Sequence, residues 1–386
     1  MRQDRRLIFL LAAGLSFLSS DAVADWSAAQ RLTWTSAGSF DPAIAIDSSN
    51  AIHMVWNEFV PGGDDELYYR KSADEGTTWS TIKRLTWTSG ASSTPAIAID
   101  SKKAIHVIWY DDTPGNQEIY YKRSPDGGVT WAAVQRLTWT SGSSYYPAIA
   151  IDSNNVIHVS WSDNTSGYFQ IYYRRSADGG TTWSPAKRVT WTSGASFAPA
   201  IAADSNDHIH VVCEDYVAGN DEIYYTRSTD GGTTWSTIKR LTWTSAKSLD
   251  PAISIDSNNA IHTVWDDYTP GGDDEIYYKK STDGGTTWSV SQRLTWNSGY
   301  SSTPVISPDS NNTIHVVWDD NTPGNREIYC KRSADGGKTW SASQRLTWNS
   351  GNSRAPAMAI DSGKTIHVVW YDDTPGNYEI YYKKGT

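Results

Sequence analysis

Redox chemistry, membrane crossing and long helices have little to build on in this sequence. Only two of its 386 residues are cysteine. Cys213 and Cys330 each stand where other copies of a repeat carry an aromatic residue, in units that are not neighbours. A disulfide needs Cα atoms within ~7 Å. Two packed thiols are therefore expected, with neither a bridge nor a redox or metal role. No stretch has the length and 3.6-residue period of a helix. Past residue 24 no apolar run approaches membrane-spanning length. Lys and Arg number 33 against 43 Asp and Glu, a net charge of −10. That balance argues against nucleic acid or an anionic membrane surface as partner, though local basic patches remain compatible with it.

The first 24 residues read as a leader. Arg2, Arg5 and Arg6 precede an apolar run from Leu7 to Leu18, and Ala22-Val23-Ala24 fits a small-x-small cleavage site. The expected division is a signal peptide over 1–24 and one folded domain over 25–386, secreted to the periplasm or the extracellular space.

What the sequence has in abundance is repetition. Arg-Leu-Thr-Trp, once Arg-Val-Thr-Trp, ends at Trp34, Trp87, Trp139, Trp191, Trp243, Trp296 and Trp348, every 52 or 53 residues. Each unit carries four strand-like runs. In the first they are Pro42–Asp47, Ala51–Trp56, Glu66–Lys71 and the segment ending at Trp87, separated by polar turns. Four antiparallel strands in ~50 residues is the size of a propeller blade. The chain opens on a fourth strand, Trp26–Trp34, and closes on a third, Glu379–Lys383. Pairing the two completes a seventh blade and leaves no open edge. The predicted fold is all-β: a seven-bladed propeller closed by its own N-terminal strand.

Between the third and fourth strands lies Ser-x-Asp-x-Gly-x-x-Trp, at Ser72–Trp79, Ser124–Trp131, Ser176–Trp183, Ser228–Trp235, Ser281–Trp288 and Ser333–Trp340. Glycine supplies a positive φ, Asp accepts hydrogen bonds from the turn's own amides, and Trp covers it. Asp74, Asp126, Asp178, Asp230, Asp283 and Asp335 are the structural carboxylates of this turn. The motif resembles the Asp-box, the bacterial neuraminidase repeat of sialidases and of many other secreted β-propellers. Six copies serve seven blades because the seventh falls across the chain break, where Trp26 is its remaining Trp.

The resemblance implies a sialidase site of three arginines, a Tyr–Glu nucleophile pair and an Asp acid/base. Here the candidate arginines, Arg31, Arg84, Arg136, Arg188, Arg240, Arg293 and Arg345, are one position repeated, and no Arg-Ile-Pro segment follows the leader. An asymmetric reaction needs differently placed groups, whereas a sevenfold repeat offers the same groups at every spoke. No catalytic residue is assigned.

His53, His106, His158, His210, His262, His315 and His367 also repeat, and read as interior hydrogen-bonded histidines rather than metal or proton-relay sites. Asp111, Asp112 and Glu118 align with Asp266, Asp267 and Glu275, with Asp319, Asp320 and Glu327, and with Asp372, Asp373 and Glu379. Their spacing does not match a dedicated calcium loop, so ion pairing and turn capping are expected. No metal or cofactor is expected.

Tryptophan remains. All 20 fall into three repeated classes. The Asp-box Trp is structural. The other two classes end strands on the face opposite the Asp-boxes, here called the loop face. One class is Trp56, Trp109, Trp161, Trp265, Trp318 and Trp370; the other is Trp34, Trp87, Trp139, Trp191, Trp243, Trp296 and Trp348. A Trp beside Thr, Ser and Gly at a cleft between blades suits a sugar, the ring taking a pyranose face. Both classes are candidate ligand-binding residues, with the fourth blade weakest because Cys213 replaces one Trp. The expected protein is a monomeric, non-enzymatic binder of glycan or glycoprotein at several sites. The alternatives are a glycoside hydrolase resembling exo-sialidases and a protein-binding scaffold.

Overall fold

The computed structural model describes residues 25–60, 63–217, 219–268 and 272–386. The expected leader lies outside the described residues. The strands form seven sheets of four in up-and-down order, and no helix occurs among the described residues. The third blade is typical: Ser144–Ile151 innermost, then Ile157–Asp163, Gln170–Ser176 and the short outer Lys187–Arg188.

The ring closes as expected. Gln30 and Arg31 pair with Tyr382 and Tyr381, and Trp26 bridges to Gly385. Trp26 donates its indole N–H to Gln344 (3.2 Å), as the Asp-box residues Trp183 and Trp340 do to Gln135 and Gln292. It fills the place of the absent seventh Asp-box Trp.

The apolar core is divided among seven interfaces, one between each pair of neighbouring blades. Between the second and third blades Ile108, Ile119, Tyr121, Leu137, Ile157, Val159 and Trp161 form a buried cluster. Both faces of each sheet are covered in this way, which explains second strands that are apolar without alternation.

Polar links run through the same interfaces. In the second blade His106 Nδ1 lies 2.7 Å from the Tyr121 hydroxyl, and its Nε2 lies 3.6 Å from Asp100. Tyr121 then donates to the carbonyl of Gly179 in the next blade's Asp-box (3.4 Å). The histidine ring is thus structural, as expected. Within that Asp-box, Asp178 accepts from the amide and hydroxyl of Thr182 (2.9 and 2.6 Å) and from Ser176 (2.8 Å). Gly180 has φ +83°, and a Cβ there would come within 1.9 Å of the Tyr121 hydroxyl. This glycine is required by backbone conformation and by the neighbouring blade together.

Candidate functional site

The two loop-face Trp classes part company in the structure. Trp56, Trp109, Trp161, Trp265, Trp318 and Trp370 are only 0–1% exposed. Each stacks on the Tyr across the strand pair, as Trp161 does on Tyr172 at 6.1 Å. They pack between blades and are closed to a ligand on the surface. Cys213 occupies this same buried position, so its effect falls on packing and not on the rim. Both cysteines are free.

Trp34, Trp87, Trp139, Trp191, Trp243, Trp296 and Trp348 are 65–74% exposed. The Arg-Leu-Thr-Trp segment explains the other three letters. In the second blade Arg136 pairs with Glu118 (2.8 Å) and donates to the Thr138 carbonyl (2.6 Å). Leu137 is buried, and the Thr138 hydroxyl accepts from the Ile119 amide (2.8 Å). Trp139 leaves the sheet, with the Arg136 guanidinium 5.8 Å from its ring centre. Every blade repeats this stacking, at 4.2–5.9 Å. The shortest belongs to Arg188, whose partner position holds Gln170 instead of Glu. Beside Trp139 a cleft of about 410 Å³ opens between the second and third blades, lined also by Arg136, Arg174, Thr181 and Thr182.

A second region was not legible as a site. Each innermost strand has a register shift just before its second half, and the residue preceding its proline takes a positive φ. These residues are Asp41, Thr94, Tyr146, Ala198, Asp250, Thr303 and Ala355. With the prolines they line the central channel, a cavity of about 380 Å³. The register carries different side chains in an otherwise repeated chain. The expectation that every spoke supplies the same groups therefore fails at this mouth.

The carboxylates show why it was missed. Asp111, Asp267, Asp320 and Asp372 share one register, each opposite a buried Ser of the first strand. Asp266 and Asp319 sit one residue earlier, where Tyr110 and Tyr371 stand in other blades. The sequence alignment of Asp266 and Asp319 with Asp111 is out by one, and in a strand a slip of one moves a side chain to the other face. Asp111 accepts from Ser92 (2.6 Å) and Glu118 pairs with Arg136, the capping and pairing expected. Asp319 instead accepts from Thr303 at the mouth (3.0 Å) and pairs with Arg326 (2.9 Å).

Carboxylates and aromatic rings both gather around the mouth. Glu214 accepts from the Asp250 amide (2.7 Å). Burial first, then the Asp250 charge, pushes its carboxyl up to about 7. Burial and Asp65 push Asp41 to about 6. Asp250 and Asp266 are also raised, chiefly by burial. Tyr110, Tyr145, Phe169 and Phe197 form a chain of ring contacts at 4.7–5.9 Å that ends at the strand partner of Glu214. Over the fourth blade lies a cleft of about 730 Å³ lined by Tyr168, Phe197, Glu214, Tyr216, Asp221 and Lys247, among others. Lys247 pairs with Asp221 there (2.8 Å).

The fold is a seven-bladed β-propeller whose repeated turn is similar to the Asp-box. Residues 157–314 match the family model described as BNR repeat-like domain. Among solved structures, an ulvan lyase, a polysaccharide lyase, shares 11% identity at a TM-score of 0.67, covering 90% of this chain and 93% of its own. A Hadza microbial sialidase shares 17% at 0.53, covering 83% and 73%. A protein of unknown function from Dyadobacter fermentans shares 15% at 0.56, covering 80% and 98%. Identities this low speak to the fold alone. No curated protein matches the chain.

Proposed function

We propose that this is a secreted, non-enzymatic recognition protein that binds glycan at several sites around the loop-face rim. One observation carries the reading. Of the four letters in Arg-Leu-Thr-Trp, three are consumed by the fold, while the Trp ring is exposed in all seven blades. A flat aromatic ring backed by a guanidinium offers its free face to the C–H bonds of a pyranose. The cleft beside Trp139 runs along the outer edge of the ring to the next blade's Asp-box, where the Thr181 and Thr182 hydroxyls, which donate to Asp178, keep lone pairs that can accept. Seven weak sites on one rigid ring would gain strength on a multivalent surface. Neighbours that are a sialidase and a polysaccharide lyase make glycan a natural partner class for such a frame. The test is titration of the purified protein with free and immobilised glycans. Several equivalent weak sites, with immobilised glycan retained far better, are expected. Absence of binding to any glycan would move the reading to a protein-binding scaffold.

A second reading has its own observation. Glu214, its carboxyl raised to about 7, accepts from the Asp250 amide at an asymmetric mouth, and a carboxyl that keeps its proton near neutrality is what the general acid of glycoside hydrolysis requires. Turnover of a fluorogenic sialoside or another aryl glycoside, abolished in Glu214→Gln, would replace recognition by hydrolysis. A binding stoichiometry of one would point the same way.

A further inference from the structure

On the face opposite the mouth, the fourth blade departs from its siblings in one turn. Between its first two strands, Ser196–Ala203 and Ile209–Val217, lies Asp204-Ser205-Asn206-Asp207-His208. Every blade has the Asp that opens this turn and the His two residues beyond its end. The position of His208 is Ala51, Ala104, Val156, Ala260, Thr313 or Thr365 elsewhere. It is the one histidine outside the repeated ring.

Its addition brings three ligating side chains together. Asp204 Oδ2 lies 3.0 Å from His208 Nδ1 and 3.5 Å from His210 Nε2. All three ligand atoms fall within 4.8 Å of one another. Two donors on one tetrahedral zinc ion, at bond lengths of 2.0–2.1 Å, sit about 3.3 Å apart. The two separations from Asp204 bracket that value.

A second observation concerns His210. It is fully buried, and its Nε2 has no hydrogen-bond partner. Its Nδ1 lies 2.7 Å from the Tyr225 hydroxyl, which reaches the Gly284 carbonyl at 3.2 Å. When Tyr225 donates to that carbonyl, His210 donates from Nδ1. Nε2 then turns its lone pair on the Asp204 carboxylate. The same Tyr–His–Asp arrangement recurs in the other blades, as at His106 and Asp100; what the fourth blade adds is a second imidazole on that carboxylate, and an outer hydrogen bond that fixes the tautomer is how ligand histidines are held. His208 is partly open to solvent, which leaves an entry path and a free coordination position.

We propose that Asp204, His208 and His210 form a divalent transition-metal site of the zinc class, with water or an exogenous ligand completing the shell. Two imidazoles favour zinc, nickel or copper over calcium and magnesium, which select oxygen. The site rests on none of the reasoning about glycan. Four of the other six blades have the same Asp–His pair beside an Ala or Val that cannot ligate, and the two pairs beside Thr313 and Thr365 gain only a hydroxyl, so the site is expected once per chain.

The experiment is calorimetric titration of the chelator-treated full-length chain with zinc chloride, beside His208→Ala. Alanine stands at this position in three other blades, so the variant suits the turn. One zinc per chain is expected in the parent, with affinity about tenfold or more lower in the variant. Zinc should raise the melting temperature of the parent only. Equal binding by both proteins, or none by the parent, overturns the proposal, as does calcium binding at the same strength. Should the variant not fold, anomalous scattering at the zinc edge from soaked parent crystals decides. A peak among the three side chains upholds the site, and a peak only elsewhere refutes it.

Discussion

The Asp-box turns and the channel mouth hold the same chemical group at opposite ends of its range. Asp74, Asp126 and Asp283 are exposed, and hydrogen bonds from Thr78, Thr130 and Thr287 bring their carboxyls down to about 2. Asp41 and Glu214 are buried at the mouth, and desolvation lifts them to about 6 and 7. The first set recurs because each turn solves one problem, the reversal from third to fourth strand against the tyrosine of the neighbouring blade. The second set varies because ring closure does not constrain it. Sameness marks the frame here, and difference marks a place where side chains are free to serve a ligand.

The largest test of the frame is to open it. Deleting residues 25–34 removes the strand that pairs with Tyr381 and Tyr382 and exposes an edge. Loss of the cooperative melt and growth of aggregates in size-exclusion chromatography are expected; a monomer with an unchanged melt would show that closure is dispensable.

Gly180→Ala tests the joint between two blades. The new methyl would meet Tyr121 at 1.9 Å in a left-handed backbone. A loss of about 2–4 kcal/mol is expected from urea denaturation. By contrast Gly127 has nothing within 4 Å of its Cβ position, so Gly127→Ala should cost only the conformational term, about 1–2 kcal/mol. Equal losses would contradict the role given to the tyrosine.

Opposite pKa shifts give opposite pH responses. The Asp-box carboxyls are lowered, so their stabilisation is present above the unfolded value of about 3.8 and disappears as pH falls toward 2. Asp41 and Glu214 are raised, so the folded state binds their protons more tightly. Their contribution to stability should therefore decline as pH rises from about 4 through 6 and 7. The seven buried ring histidines, lowered by burial, act in the opposite sense up to about 6.5, so the reading is a difference: the stability of the parent relative to Glu214→Gln should fall as pH rises from about 4.5 through 7. A difference that does not change across this range would refute the burial argument.

The smallest effect on stability is expected at the rim. Trp139→Ala should shift the unfolding free energy by no more than about 0.5 kcal/mol, because its ring is 65% exposed. Trp161→Ala, in the buried class, should cost about 3–5 kcal/mol. In glycan titrations Trp139→Ala should lose one site among several. Complete loss of binding would mean that the rim is not multivalent.

Much of this was readable beforehand, and the reasons differ by residue. A period of 52 or 53 residues with turn signals in phase leaves few arrangements besides a ring of blades. The Asp-box states its own hydrogen bonds. The two Trp classes looked alike because each ends a strand beside polar residues. Depth separates them, and depth depends on the neighbouring blade. The mouth was hidden by a one-residue misalignment at Asp266 and Asp319. A usable signal did exist: the residue before each repeated proline changes from blade to blade, through Asp41, Thr94, Tyr146, Ala198, Asp250, Thr303 and Ala355. His208 gave another, as a histidine outside the repeat.

The sequence by itself determined the number of blades, their strand order and the closure of the ring, because these follow from local periodicity and from a terminal strand that lacks a partner. Only the tertiary structure decided which tryptophans face solvent, which carboxylates meet at the mouth, and that Asp204, His208 and His210 converge. Burial and convergence depend on which side of a twisted sheet a side chain takes and on what the next blade places against it. Neither is set by spacing along the chain.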